Sequence, residues 1–277
     1  MYKAISPGNI GHGLSFKSAA EVSARHGFTG FSFDIAGDSV LPAEETKELL
    51  KKTGMRAAGF GLPVDFRGDR AVFESGLAEL KNYARYAAEI GANRCVTWIM
   101  PSSDTVPYEE NFIFHRDRLK KCCEILREYG VVFGMEFVGT PSARRNAKYD
   151  FIYNLDQMLD LCGAIGTGNA GLLLDVWHWD LAGQTKNDFK KLTNELVAYV
   201  HINDAPAGVP AEDQVDSVRG LPGETGVLKI ADFFEGLLSI GYDGPVVAEP
   251  FEPKLAKMPY EEALSVVMDS INRVWPK

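Results

Sequence analysis

Four apolar runs in the C-terminal half of the chain each carry one conspicuous ionisable residue. Glu136 lies in 131–138, Asp175 in 171–177, His201 at the end of 196–202, and Glu249 in 244–251. An isolated carboxylate in a buried strand costs several kcal/mol, so each acid requires a compensating partner. For any one of them alone, a satisfied polar residue paired with Arg or Lys is an equally good reading. Three carboxylates and an imidazole on consecutive runs are harder to explain that way, because few basic residues lie near those ends. A divalent cation would neutralise them directly. Three oxygen donors and one imidazole make a fairly hard site, suited to Mn²⁺ first, with Co²⁺, Mg²⁺ and Zn²⁺ also compatible. The absence of thiolates argues against a closed structural zinc site.

Such a cation chelates a carbonyl and its neighbouring hydroxyl, and so stabilises the enediolate formed when the adjacent carbon loses a proton. A base must approach one face of that carbon, and a second group can return the proton from the other. Glu136 and Glu249, on different strands, suit that exchange. A cation-bound carboxylate is a weaker base than a free one. The scheme therefore needs each Glu to bind through a single oxygen, or the cation to acidify the substrate strongly.

Other residues could line the same site. His178 follows Asp175 closely and would donate to a substrate hydroxyl; otherwise it is a histidine of a surface loop. Trp177 and Trp179 flank it, and Trp177 reads equally as an apolar wall for a sugar ring or as core. Arg219 opens a Gly-rich loop, where it would bind a hydroxyl, carboxylate or phosphate, or simply be solvated. His12, Asp34 and Trp98 fall near the ends of earlier strands and could line the pocket. Asp204 would orient His201 or cap the next segment. His26 and His115 sit in helical stretches and are expected on the surface.

Positioning these residues requires a scaffold. Short β-branched or aromatic runs alternate with longer stretches of helical periodicity, about eight times along the chain. Strands are expected at 4–5, 31–35, 55–60, 94–98, 131–137, 170–175, 197–202 and 245–248. Helices are expected between them, for example at 71–90, 108–129, 187–195 and 230–240. Gly91, Gly130 and Gly241 stand where helices should close in the left-handed conformation, and Pro42 precedes another helix start. Repeated βα units imply a parallel sheet, and eight of them fit a single (β/α)8 TIM barrel spanning residues 1–277. An open sheet would call for a dinucleotide or phosphate fingerprint after the first strand, and there is none.

The length of 277 residues, 45% hydrophobic and 24% charged, suits one such barrel. The net charge of −9 makes nucleic acid and anionic membranes poor partners. No apolar run reaches membrane-spanning length. The opening residues lack the basic and apolar regions of a signal peptide. The four cysteines, without ligand spacing, read as reduced thiols. A cytoplasmic location is expected.

The segments Glu136-Phe137-Val138-Gly139, Leu174-Asp175-Val176-Trp177-His178, His201-Ile202-Asn203-Asp204 and Glu249-Pro250-Phe251, together with Arg219-Gly220-Leu221-Pro222-Gly223-Glu224-Thr225-Gly226, resemble the xylose-isomerase-like sugar isomerase/epimerase superfamily. The likeness is greatest to the inosose isomerase type, with ketose 3-epimerases as cousins. It follows the whole barrel in length and order, although its specific motifs all lie after residue 130. The resemblance implies that Glu136, Asp175, His201 and Glu249 hold the metal, that Glu136 and Glu249 double as acid/base groups, and that His178 and Arg219 contact substrate oxygens. It implies a small sugar or polyol ketone as substrate, and a homo-oligomer is usual in the family. A dehydratase or lyase acting on a keto-inositol or keto-sugar shares the same proton abstraction and remains open. A DNA-repair endonuclease on this barrel would need a trinuclear zinc cluster, which five histidines and the loop after the seventh strand do not supply. A non-catalytic binding protein is disfavoured by the complete ligand set.

Overall fold

The computed structural model describes residues 1–37 and 40–277. Eight strands form the barrel: β1 (Tyr2–Ile5), β2 (Gly30–Phe33), β3 (Arg56–Gly61), β4 (Arg94–Ile99), β5 (Val132–Phe137), β6 (Ala170–Asp175), β7 (Val197–Ile202) and β8 (Pro245–Ala248). All pairings are parallel and follow chain order around the ring, and β8 closes on β1 through Tyr2↔Pro245 and Ala4↔Val247. Helices lie outside: α1 (Phe16–Arg25), α2 (Ala43–Thr53), α3 (Arg70–Ile90), α4 (Tyr108–Glu128), α5 (Leu155–Ile165), α6 (Val176–Leu181), α7 (Ile230–Ser239) and α8 (Tyr260–Val274). A short antiparallel ribbon pairs Ser102–Ser103 with Tyr149–Asp150 in the loops beyond β4 and β5.

The strands read as continuous apolar runs because both of their faces are covered. Outward side chains join the helices in one large core. Inside, Ala4, Ala58, Leu173, Tyr199 and Val247 make a second, separate cluster with Tyr2 and Val96 packed on it. Strand side chains alternate, so the residue two positions further on points the same way. From Leu173, Tyr199 and Val247 that step reaches Asp175, His201 and Glu249. The barrel's apolar filling is thus the floor of the candidate site.

Helix ends agree with the expected signals. Gly91, Gly130 and Gly241 have φ of 78°, 69° and 67°, and Asp69 caps α3 by accepting from the Val72 N–H at 2.9 Å. One expected helix fails. Residues 187–195 form two short 3₁₀ turns, Lys186–Lys191 and Asn194–Leu196, with Leu192 extended between them. The α-helix of this unit is α6, which starts at once after β6 because the Asp175 carboxylate accepts from the Trp177 N–H at 2.8 Å. His115 is also corrected. It is buried among Phe66, Phe114 and Phe151, not on the surface. Among the described residues, no helix is long and apolar enough to cross a membrane.

Candidate functional site

The ends of the last four strands bring Glu136, Asp175, His201 and Glu249 together, with one ligand atom from each lying within 4.8 Å of the others. His201 Nδ1 faces all three acids, 3.3 Å from Glu249 Oε2, 3.6 Å from Glu136 Oε1 and 4.0 Å from Asp175 Oδ2. Glu136 Oε1 and His201 Nδ1 are buried and have no hydrogen-bond partner. Buried polar atoms are almost always satisfied, so two orphans facing one point call for a missing partner. Three carboxylates, one imidazole and two orphaned donor atoms fit a divalent cation.

The electrostatics show the strain of bringing these groups together. Burial pushes the Glu136 carboxyl up to about 7; the His201 contact opposes this and the Glu249 charge adds to it. Burial acts to lower the His201 value, but Glu249 and Glu136 outweigh it and hold the imidazole well above its ordinary range. The cluster as a whole therefore favours holding a proton that a cation would displace. Asp175 behaves differently. Burial opposes its ionisation, but Arg219, with His178 and His201 behind it, holds the carboxyl down at about 2.

The surrounding shell fixes the ligands. Asp175 Oδ1 accepts from the Trp177 N–H and, at 3.0 Å, from the Asn203 side-chain amide. Asn9 lies 3.5 Å from His201 Nε2, while Ser6 Oγ is 3.1 Å from the other end of the Asn9 amide. With Nδ1 turned to the acids, Nε2 faces the Asn9 side-chain nitrogen.

Arg219 overturns the expectation that bases are scarce here. Its side chain is 1% exposed, and Nη1 donates to Asp175 Oδ2 at 2.6 Å and Glu249 Oε2 at 3.0 Å. Burial opposes its charge, but Asp175 first and then Glu249 raise it well above the usual arginine range. The loop carrying it is tied to the end of β7 by Asp204, whose carboxylate accepts from the N–H groups of Ala205, Thr225, Gly226 and Leu228. Asp204 therefore caps this loop and does not contact His201.

His178 is buried in α6, not on a surface loop. Its Nε2 lies 3.2 Å from Arg219 Nη2, and its Nδ1 lies 3.4 Å from Thr140 Oγ1. Burial, reinforced by Arg219, lowers its value to about 4, so the ring is neutral and Nδ1 carries the proton. Trp177 is fully buried, with Nε1 donating to Thr140 at 2.8 Å and its ring 5.2 Å from the Arg219 guanidinium. The structure thus places Trp177 under Arg219 and not as a wall open to the mouth. Gly139 lies against the His178 carbonyl with no space for a Cβ.

Trp98 aligns with Glu136 across β4 and β5, is 45% exposed, and stacks with Arg67 at 4.3 Å. His12 and Asp34 line a cavity of about 730 Å³ over the first strands; the cavity reaches His201 and includes Ser6, Asn9 and Ser32. His12 Nε2 is 2.9 Å from the Leu255 carbonyl oxygen. Sequence reasoning missed Asn9, Thr140, Asn203, Asp216 and Phe251. Of these, Asn203 and Phe251 stood inside motifs already singled out.

A family model described as "Xylose isomerase-like TIM barrel" matches residues 20–271. The chain belongs to this family. It is 24% identical over 228 residues to an inosose isomerase of Bacillus velezensis, covering 82% of this chain and 77% of that protein. A xylose isomerase domain protein from Alicyclobacillus acidocaldarius superposes with a TM-score of 0.86 at 28% identity, covering 99% of this chain and 98% of the other. The IOLI protein, solved with a zinc atom, superposes with a TM-score of 0.81 at 20% identity, covering 99% and 98%. The last likeness bears on the fold.

Proposed function

We propose that the protein is a divalent-metal-dependent isomerase or epimerase of a small keto-sugar or inosose. The observation that carries this reading is the convergence of four donor atoms within 4.8 Å, two of them buried without a partner. The names of the curated relatives support the substrate class. Glu136, Asp175, His201 and Glu249 would hold the cation, which, when bound, supplies Lewis acidity to a carbonyl and its neighbouring hydroxyl. Mn²⁺ heads the candidates, followed by Co²⁺, Zn²⁺ and Mg²⁺.

The chain's own groups supply the rest. Glu249 meets both His201 and Arg219 through Oε2, which leaves Oε1 for proton transfer. Glu136 approaches the cluster from β5 with Oε1 facing His201, and Oε2 is its second oxygen. One glutamate takes the proton from the carbon beside the carbonyl, and the other returns it or serves the opposite face. Arg219 and His178 orient substrate oxygens. His12 would meet substrate from the cavity wall, Trp98 from its position beside Glu136 on the neighbouring strand, and Trp177 by supporting Arg219. Residues 1–277 form one domain, a reading supported by the closure of β8 on β1.

Metal content by mass spectrometry tests the site. The expectation is near one divalent ion per chain, reduced in Glu249→Gln. Incubating ketoses and inososes with the metal-loaded protein in D₂O should then give isomerised product carrying solvent deuterium. An unsaturated product would assign a dehydratase instead. No metal after incubation with Mn²⁺, Co²⁺ or Zn²⁺ would overturn the reading.

A further inference from the structure

The Arg219 guanidinium is anchored along one edge and meets two candidate ligands along the other. Nε donates to the Asp216 carbonyl oxygen at 2.8 Å, and Nη2 donates to Asp216 Oδ1 at 2.7 Å and lies 3.2 Å from His178 Nε2. Its faces lie against two rings, Trp177 at 5.2 Å and Phe251 at 4.6 Å. Phe251 is the one positive-φ residue other than glycine among the described residues, with φ 45°. Such a conformation is strained and persists only where its surroundings enforce it. The plate so held turns Nη1 alone toward the acids.

Nη1 contacts Asp175 Oδ2 and Glu249 Oε2. These are the same oxygens that lie 4.0 and 3.3 Å from His201 Nδ1. A cation held by His201 Nδ1 and these carboxylates would bind the same oxygens, and its charge repels a guanidinium a few ångströms away.

We propose that Arg219 Nη1 is an internal counter-cation that competes with the divalent ion for Asp175 Oδ2 and Glu249 Oε2. Cation binding weakens the two Nη1 contacts and the contacts weaken cation binding, while the edge anchored on Asp216 stays in place. The competition sets the cation affinity below what the four ligands alone would give. It also releases Nη1 as a donor for a substrate oxygen only when the cation has arrived. Arg219 is in this respect a positioning residue, with Phe251 and Trp177 holding its plane. The inference rests on the metal reading above.

The test is calorimetric titration of chelator-stripped protein with Mn²⁺, comparing the wild type with Arg219→Gln and Arg219→Lys. Arg219→Gln is expected to bind Mn²⁺ at least about tenfold more tightly, since two charge-assisted contacts no longer compete. Arg219→Lys, which keeps the charge, should stay near the wild type. Thermal melts provide a second readout: stripped Arg219→Gln should melt below stripped wild type, and saturating Mn²⁺ should close the gap. Equal or weaker Mn²⁺ binding by a folded Arg219→Gln variant would overturn the proposal and leave Arg219 as an organiser of the carboxylates. If that variant does not fold, Asp216→Asn loosens the anchored edge without touching a ligand. It should weaken Mn²⁺ binding by about threefold, because the guanidinium freed from Asp216 leans further onto Asp175 and Glu249, and unchanged or tighter binding would overturn the proposal. Failure of the wild type itself to bind Mn²⁺, Co²⁺ or Zn²⁺ would instead sink the metal reading, and this inference with it.

Discussion

Asp175, His201 and Glu249 are each held by something other than the cation they would bind, and those contacts determine how a substitution should act. Asp175 takes both oxygens' worth of donors, from Trp177, Asn203 and Arg219. Removing the Asn203 amide by Asn203→Ala frees the carboxylate to rotate. Loss of such an orienting partner costs roughly 10–100-fold in metal affinity, which titration with Mn²⁺ would read; unchanged affinity would exclude the orienting role. Glu136→Gln should reduce turnover by roughly 10²–10⁴-fold if its carboxylate moves the proton. A steady-state rate within tenfold of wild type would assign that role elsewhere.

At the scale of elements, the loop after β7 does the joining. A single carboxylate, Asp204, collects four backbone N–H groups and fixes the segment that delivers Arg219 across the mouth. Asp204→Ala leaves those donors without their acceptor in a buried setting, at a cost of about 3 kcal/mol. The expected result is a melting temperature lower by roughly 5–10 °C, with the metal ligands untouched and KM raised more than kcat is lowered. A melting curve matching the wild type would show that the loop is held by other contacts.

For the whole molecule, part of the acid sensitivity should come from a histidine remote from the site. His115 sits among aromatic rings, where burial lowers its value to about 4 from an ordinary 6.5. The folded state binds this proton less readily than the unfolded chain. Its contribution is therefore complete above about pH 6.5 and is lost as pH falls toward 4. Between pH 7 and 4.5 this amounts to about 2–3 kcal/mol. Urea unfolding at both pH values should show His115→Phe losing that much less stability than the wild type on acidification; an identical loss in both would place the acid sensitivity elsewhere.

The sequence by itself determined the barrel and marked the four candidate ligands. Strand and helix periods, and glycines such as Gly91 and Gly130, are local signals that survive into the fold. The cost of burying a lone charge marked Glu136, Asp175 and Glu249 without any knowledge of their neighbours. The failure at 187–195 is local too, since helical periodicity there does not reveal that α6 begins at Val176 or that a capping box tightens the next turn. What the tertiary structure alone decided is which charges meet. Arg219 is 44 residues from Asp175 and 30 from Glu249, and no spacing rule brings them together. Nor does composition reveal that His115 is buried or that Trp177 faces a guanidinium. Contacts of that range follow from strand register and loop closure, which place β6, β7 and β8 side by side and fold the 219 loop back over their ends.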